Sequence, residues 1–135
     1  MSNMERVSTQ GILRKEVSHS GDMVTSYRAS IEFFVFVENG VYIAYCPSLD
    51  LSTSAETYNE AISSFYEMFQ LHLQWCWDHD TLLEDLTSHG WQVKKQTLVP
   101  PKISMLMRKP EMKKLMDGQI GFEKIVSPVR IPAMA

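Results

Sequence analysis

The chain has 135 residues, of which 44% are hydrophobic and 21% are charged, and its formal net charge at pH 7 is −3. This length and composition are typical of one globular domain that folds without disulfides. The acidic balance argues against a surface that binds nucleic acid as a whole, because such surfaces are basic. Two cysteines are too few for a disulfide framework, and no apolar run approaches the ~20 residues that span a bilayer. We therefore expect a cytoplasmic protein.

The first part of the chain, residues 1–28, is polar and shows no clear periodicity. It predicts an N-terminal arm with room for a short edge strand in the segment QGILRKEV, residues 10–17. The hydrophobic pattern becomes regular only from Ala29 onward.

Two apolar segments after Ala29 predict a β-hairpin. They are separated by Asn39 and Gly40, which tolerate the positive φ angles of a two-residue type I′ turn. Pro47 ends the second strand because it cannot donate to a ladder, and the segment LSTSA (51–55) predicts the third strand of an antiparallel meander. One face of the first strand mixes acids with phenylalanines, so we expect it to be covered only in part. Its side chains are Glu32, Phe34, Phe36 and Glu38.

A long helix is predicted after the third strand. Thr57 and Glu60 fit a capping box. Apolar residues then recur at helical spacing and form a stripe that can cover one face of the sheet. They are Ala61, Ile62, Phe65, Met68, Phe69, Leu73 and Cys76.

A short second helix and a fourth strand complete the predicted domain. The helix begins at a cap provided by Asp78, Asp80 or Thr81 and ends at Gly90. The segment WQVKKQTLV (91–99) predicts the strand. The expected fold class is therefore α+β, with a three- to four-stranded antiparallel sheet covered by one long and one short helix.

The remaining residues, 94–135, predict a C-terminal extension. Pro110 and Gly118 fit the start and end of a short helix at 110–117, and an extended apolar segment follows at 122–132. Because this segment has no core of its own, we expect it to pack on the main domain or to pair with another chain in a homo-oligomer.

Neither the cysteines nor the carboxylates predict a catalytic centre. Cys46 lies near Asp50 but has no local histidine to activate it, so we interpret it as a small core residue. Glu32 and Glu38 share a strand face, but six residues separate them by ~20 Å, which is too far to hold one metal ion.

A metal site has a weak signal on the long helix. His72 and Cys76 are four residues apart and His79 follows, so soft ligands share one helical face. No further ligand motif accompanies them, and packing against a core or an interface explains these residues better. We predict no metal, no cofactor and no catalytic residue, and a binding or assembly module rather than an enzyme.

The only local basic excess lies late in the chain. Nucleic-acid binding through it is the alternative function, as a transcriptional regulator whose affinity falls steeply with salt. The residues that would carry it are Lys102, Arg108, Lys109, Lys113 and Lys114.

The order of motifs over residues 29–93 resembles the HicB antitoxin family of bacterial toxin–antitoxin systems. That family combines an aromatic-Ala-aromatic-Cys-Pro-x-Leu strand end with a Thr-x-x-Glu-Ala helix start. The matching positions are Tyr42, Ala44, Tyr45, Cys46, Pro47, Leu49, Thr57, Glu60 and Ala61, with Ile43 between Tyr42 and Ala44. The chain departs from the family after Leu49, where it reads DLSTS, and in a tail that shows one short helix rather than a helix-turn-helix.

The resemblance implies a partial RNase H-like fold that lacks catalytic acids. It implies an antitoxin, or an orphan relative, that binds a small basic HicA-type mRNA-cleaving toxin and assembles as a dimer or tetramer. We expect Tyr42, Tyr45 and Asp50 to contact that partner, because aromatic side chains dominate interface energetics.

Overall fold

A mixed β-sheet with helices on both faces forms the structure, a computed structural model that describes residues 4–7, 24–118 and 120–134. The protein belongs to the α+β class. Its described elements, in chain order, are β1 (Met4–Val7), β2 (Val24–Glu38), β3 (Val41–Cys46), β4 (Leu51–Ala55), α1 (Tyr58–Asp78), α2 (Leu82–Ser88), β5 (Gln92–Lys94), β6 (Thr97–Val99), α3 (Ile103–Leu106), α4 (Pro110–Met116) and β7 (Phe122–Met134).

The predicted hairpin and meander are confirmed. Asn39 and Gly40 have φ angles of 55° and 80°, as a type I′ turn requires, and Glu38 pairs with Val41 across it. β3 then pairs with β4 in antiparallel register, from Tyr42 opposite Ala55 to Cys46 opposite Leu51. Local turn chemistry is sufficient to specify this part of the sheet.

The expectation of an antiparallel sheet is only partly right. The strand order is β1-β7-β2-β3-β4, and β1 runs parallel to β7. β6 also runs parallel to β2, with Thr97 opposite Arg28. The predicted fourth strand over 91–99 is in fact a hairpin of β5 and β6, with Lys95 at a φ of 57° in its turn. Side-chain alternation indicates the faces of a strand but not its direction or its partner.

β7 lies inside the sheet. It pairs with β2 from Val24 opposite Met134 to Phe36 opposite Phe122, so the predicted extended segment 122–132 packs on the main domain. β2 also begins at Val24, within the predicted arm. The expected edge strand at 10–17 lies outside the described residues.

The inner face of the sheet is covered by α1, as predicted. Thr57 caps the helix by accepting the Glu60 backbone N–H at 3.2 Å. The Phe33 and Phe65 rings stack with their centroids 4.2 Å apart and anchor helix to sheet. The helix residues buried here are Ala61, Ile62, Phe65, Tyr66, Phe69, Leu73 and Cys76.

The second helix begins at Leu82, after Thr81 of the three predicted caps, and Gly90 follows its end with a φ of 96°. No helix of the described part of the chain is long and apolar enough to cross a membrane.

The outer face of the sheet is covered more fully than predicted. α4 packs on it and buries Met112 and Leu115 against Phe34, Phe36 and Tyr45. The single-turn helix α3 precedes α4 and was not predicted, because a four-residue turn has no period of its own. The extension is therefore a structural layer of the domain.

Deleting residues 119–135 should abolish cooperative folding, because it removes β7 and with it the strand that pairs along β2. Thermal unfolding followed by circular dichroism would measure the loss. A truncated chain that still unfolds cooperatively, with only its oligomer dissociated, would contradict this expectation.

A pair of point variants on β7 gives a milder test. Ile125→Ala empties a fully buried position and should lower the free energy of unfolding by about 2–5 kcal/mol. Arg130→Ala, at an exposed position of the same strand, should change it by less than about 0.5 kcal/mol.

Candidate functional site

The three residues predicted to contact a partner do not share one surface. Tyr42 and Tyr45 point to opposite faces of β3, and Tyr42 packs edge-on against Tyr58. Tyr45 is only 5% exposed beneath α4. Burial, together with the nearby Glu111 and Asp50 carboxylates, raises the pKa of its hydroxyl, for which the described residues offer no hydrogen-bond partner. In this structure Tyr45 is a core residue.

Asp50 is the exposed member of the three. It ends the turn between β3 and β4 with a φ of 55°. Its carboxylate lies 3.6 Å from Lys109 Nζ, next to the start of α4. Asp50 therefore links the β3–β4 turn to the start of α4.

Cys46 has the environment of a core thiol. It is fully buried, and its Sγ atom lies 3.5 Å from Ser48 Oγ. Burial raises the pKa of the thiol from its ordinary value of 9.0 to about 11, although hydrogen bonds with Ser48 and Leu49 oppose part of that rise. The nucleophilic thiolate is thus scarce at neutral pH.

The strand carboxylates are paired with lysines of the extension. Glu32 lies 3.0 Å from Lys124 Nζ, and Glu38 lies 2.7 Å from Lys114 Nζ. Each acid has its own cation, so the two do not converge on a common ion.

Ion pairing also reduces the number of predicted basic residues that are free to bind nucleic acid. Lys109 and Lys114 are engaged with acids of the sheet face. Lys102, Arg108 and Lys113 are exposed and make no ion pair within the described part of the chain.

The fold brings together a different set of candidate metal ligands from the one predicted. His72 and Cys76 are neighbours, but His79 turns away, donates from Nδ1 to the Trp75 carbonyl at 2.7 Å and stacks on the Trp75 ring. Asp85 of α2 takes the third position instead, and its carboxylate lies 2.9 Å from His72 Nε2. Thirteen residues separate Asp85 from His72, so helical spacing alone could not find it.

Exposed apolar side chains lie on the solvent side of α1 and α2. Leu71 and Trp75, one turn apart on α1, are 63% and 59% exposed, and Leu83 of α2 is 45% exposed. Of the three tryptophans around the inter-helix turn, Trp91 is buried and Trp77 is partly buried, which leaves Trp75 on the surface. We call Leu71, Trp75 and Leu83 the helical surface.

A groove next to Leu83 is lined by residues of β2, α1, α2 and β7. Its volume is about 360 Å³, and Leu83 belongs both to the groove and to the helical surface. Apolar side chains form most of its wall, and Asp80 adds one acid. Its lining residues include Tyr27, Trp77, Leu82, Leu86, Ile131 and Pro132.

The acidic residues of α1 and α2 are not mixed with Lys or Arg. Between Arg28 and Lys94 the chain contains ten Asp and Glu and no Lys or Arg. The exposed acids of the two helices and their connecting turn are Glu60, Glu67, Asp78, Asp80 and Glu84. This segregation is visible in the sequence and is a signal that a search for catalytic motifs overlooks.

Comparison with family models, curated proteins and solved structures gives no match to this chain. The candidate site therefore rests on the residues and geometry described above.

The buried thiol predicts a loss of stability at alkaline pH. Above pH 9 the unfolded thiol ionises, whereas Cys46 in the folded chain stays protonated up to about pH 11. The free energy of unfolding should therefore fall as pH rises through this window, by at most ~1.4 kcal/mol per pH unit from this group. Urea denaturation at several pH values would measure the slope.

Cys46→Ala removes the titrating group and should flatten that slope. The remaining fall belongs to Cys76 and Tyr45, whose pKa values are also raised. An equally steep fall in Cys46→Ala between about pH 9 and 10 would contradict the assignment.

Proposed function

We propose that this chain is a non-enzymatic binding module that masks the surface of a small basic protein. The observation that carries the proposal is the helical surface, where an exposed tryptophan and two exposed leucines lie on helices that carry acids and no Lys or Arg. We further propose that the partner is a HicA-type mRNA-cleaving toxin and that the chain is a HicB-like antitoxin or an orphan relative.

The chemistry of the helical surface suits such a partner. Trp75 supplies a large side chain that gains energy when water is removed from it, as interface anchors do. The groove beside Leu83 can accept an apolar side chain of the partner, and Asp80 in its wall can pair with a Lys or Arg of the partner. Acids on the same two helices attract a basic protein and accelerate its encounter.

The order of elements also supports the HicB-like assignment. The Asn-Gly hairpin, the Pro47 strand end and the Thr57 cap occur as β2, β3, β4 and α1 in that order. A partial RNase H-like fold without catalytic acids belongs to the same proposal, and the lysine pairing of Glu32 and Glu38 agrees with it.

The assembly and location remain part of the proposal. A homo-oligomer, either dimer or tetramer, is favoured by a second exposed apolar patch on α3, formed by Ile103 and Met105. A cytoplasmic location agrees with the two free, buried cysteines.

A nucleic-acid-binding regulator is the second candidate. Residues 94–135 contain nine Lys and Arg against three Asp and Glu. Lys102, Arg108 and Lys113 are the members of this set that stay exposed and outside the described ion pairs. Retention of duplex DNA at low salt, lost as salt rises and in a triple Lys/Arg→Ala variant, would support this function over toxin masking.

Trp75→Ala should weaken binding of the HicA-type partner at least ~30-fold, because it removes the central aromatic anchor. The natural candidate partner is the product of a neighbouring reading frame that encodes a short basic protein. Calorimetric titration would give the dissociation constant, and protection of an mRNA substrate from cleavage would give the function.

Met116→Ala is the control, since Met116 is also an exposed apolar residue but lies on α4, which covers the other face of the sheet. It should leave the affinity within about threefold. Equal affinities for Trp75→Ala and the unaltered chain would reject the helical surface as the site, and failure to recover any small basic protein from native cells would reject the function itself.

A further inference from the structure

We propose that His72, Cys76 and Asp85 form a binding site for one divalent transition-metal ion, with Zn²⁺ as the best chemical match. This site is separate from the helical surface and does not depend on the proposed toxin partner. It lies where α2 packs back on α1.

The three ligand atoms already lie close to one another. His72 Nε2 is 2.9 Å from Asp85 Oδ2 and 3.8 Å from Cys76 Sγ, and all three atoms are within 4.8 Å of each other. Ligand atoms of a tetrahedral zinc ion are separated by about 3.3–3.6 Å, as follows from its bond lengths. An ion would take the place of the proton shared by His72 and Asp85, and small side-chain movements would complete the geometry.

The backbone holds the two helices in the required position. Thr81 immediately precedes α2, and its N–H donates to the Cys76 carbonyl at 2.9 Å. The Thr81 hydroxyl donates to the same carbonyl at 3.4 Å. Asp80 takes a φ of 57° in this turn, which directs the chain back along α1. The site therefore combines an i, i+4 pair on one helix with a carboxylate from the next.

The ligand types favour a borderline-soft ion. Thiolate, imidazole and carboxylate together suit Zn²⁺ better than Mg²⁺ or Ca²⁺, which prefer oxygen ligands alone. The Cys76 side chain is buried, whereas His72 and Asp85 are 24% and 23% exposed, so an ion can enter from their side. Three protein ligands leave a fourth position for water.

A neighbouring histidine holds the backbone at Asp85. His89 Nδ1 donates to the Asp85 backbone carbonyl at 2.8 Å. It lies 3.9 Å from Asp85 Oδ2, which is too far for a hydrogen bond, so His89 leaves the carboxylate to His72.

Burial and the Asp85 carboxylate raise the pKa of the Cys76 thiol, although a hydrogen bond with Thr81 opposes that rise. Because the thiolate is the form that binds a metal, ion binding must release the thiol proton.

The test uses the untagged full-length chain after treatment with a chelator. Added Co²⁺ should produce a thiolate-to-metal charge-transfer absorption, and Zn²⁺ should displace it at a ratio of one ion per chain. Zn²⁺ should also raise the thermal midpoint, because it bridges two helices.

Two variants address the ligands, and two serve as controls. Cys76→Ser should abolish the charge-transfer band, and Asp85→Asn, which preserves the size of the side chain, should weaken Zn²⁺ binding at least ~tenfold. His79→Gln and Cys46→Ser should bind as the unaltered chain does. Absence of the band in the unaltered chain, or its loss in Cys46→Ser rather than Cys76→Ser, would overturn the site. Undiminished Zn²⁺ affinity in a folded Asp85→Asn variant would do the same.

Discussion

The pairing of β2 with β7 is the constraint on which the rest of the structure depends. β2 is fifteen residues long, and β7 pairs with it along the whole stretch from Val24 to Phe36 of β2. The other edge of β2 is shared by β3 and, through Arg28, by β6. Both helical layers pack on this strand, because Phe33 contacts the α1 side of the core and Phe34 contacts the α4 side. A strand buried on both faces must be apolar on both, which explains the phenylalanines at adjacent positions.

Cover of the outer face determines which residues remain available for binding. α4 places Leu115 and Met112 over Tyr45, and Lys109 and Lys114 pair with acids at the margins of the contact. Exposed ion pairs of this kind add little stability, so the apolar contact provides most of the energy and the charges fix the orientation. The aromatic residue of the strand motif is thereby used for packing, and the surface aromatic is Trp75, which belongs to a different element.

Local signals were sufficient for about half of the fold. Asn39-Gly40 and the Thr57 cap act within a few residues, and the predicted hairpin and long helix are confirmed with them. The insertion of β7 between β1 and β2, and the approach of Asp85 to His72, depend on contacts between distant residues. A single sequence indicates which face of each element is buried but not which element packs beside it. The sheet order and the approach of Asp85 to His72 and Cys76 could therefore not be predicted.

The segregation of charge connects the two sides of the molecule. The acidic residues lie on the segment that forms α1 and α2, and the basic residues lie on the segment that forms α3, α4 and β7. Three lysines of the basic segment pair with Glu32, Glu38 and Asp50, so these ion pairs do not offset the acids of α1 and α2. Self-repulsion on those helices costs stability, and a basic partner would remove that cost on binding. A cation held by Asp85 would also relieve it, at the junction that sets how α2 lies against α1, so ion binding and partner binding would act on the same pair of helices.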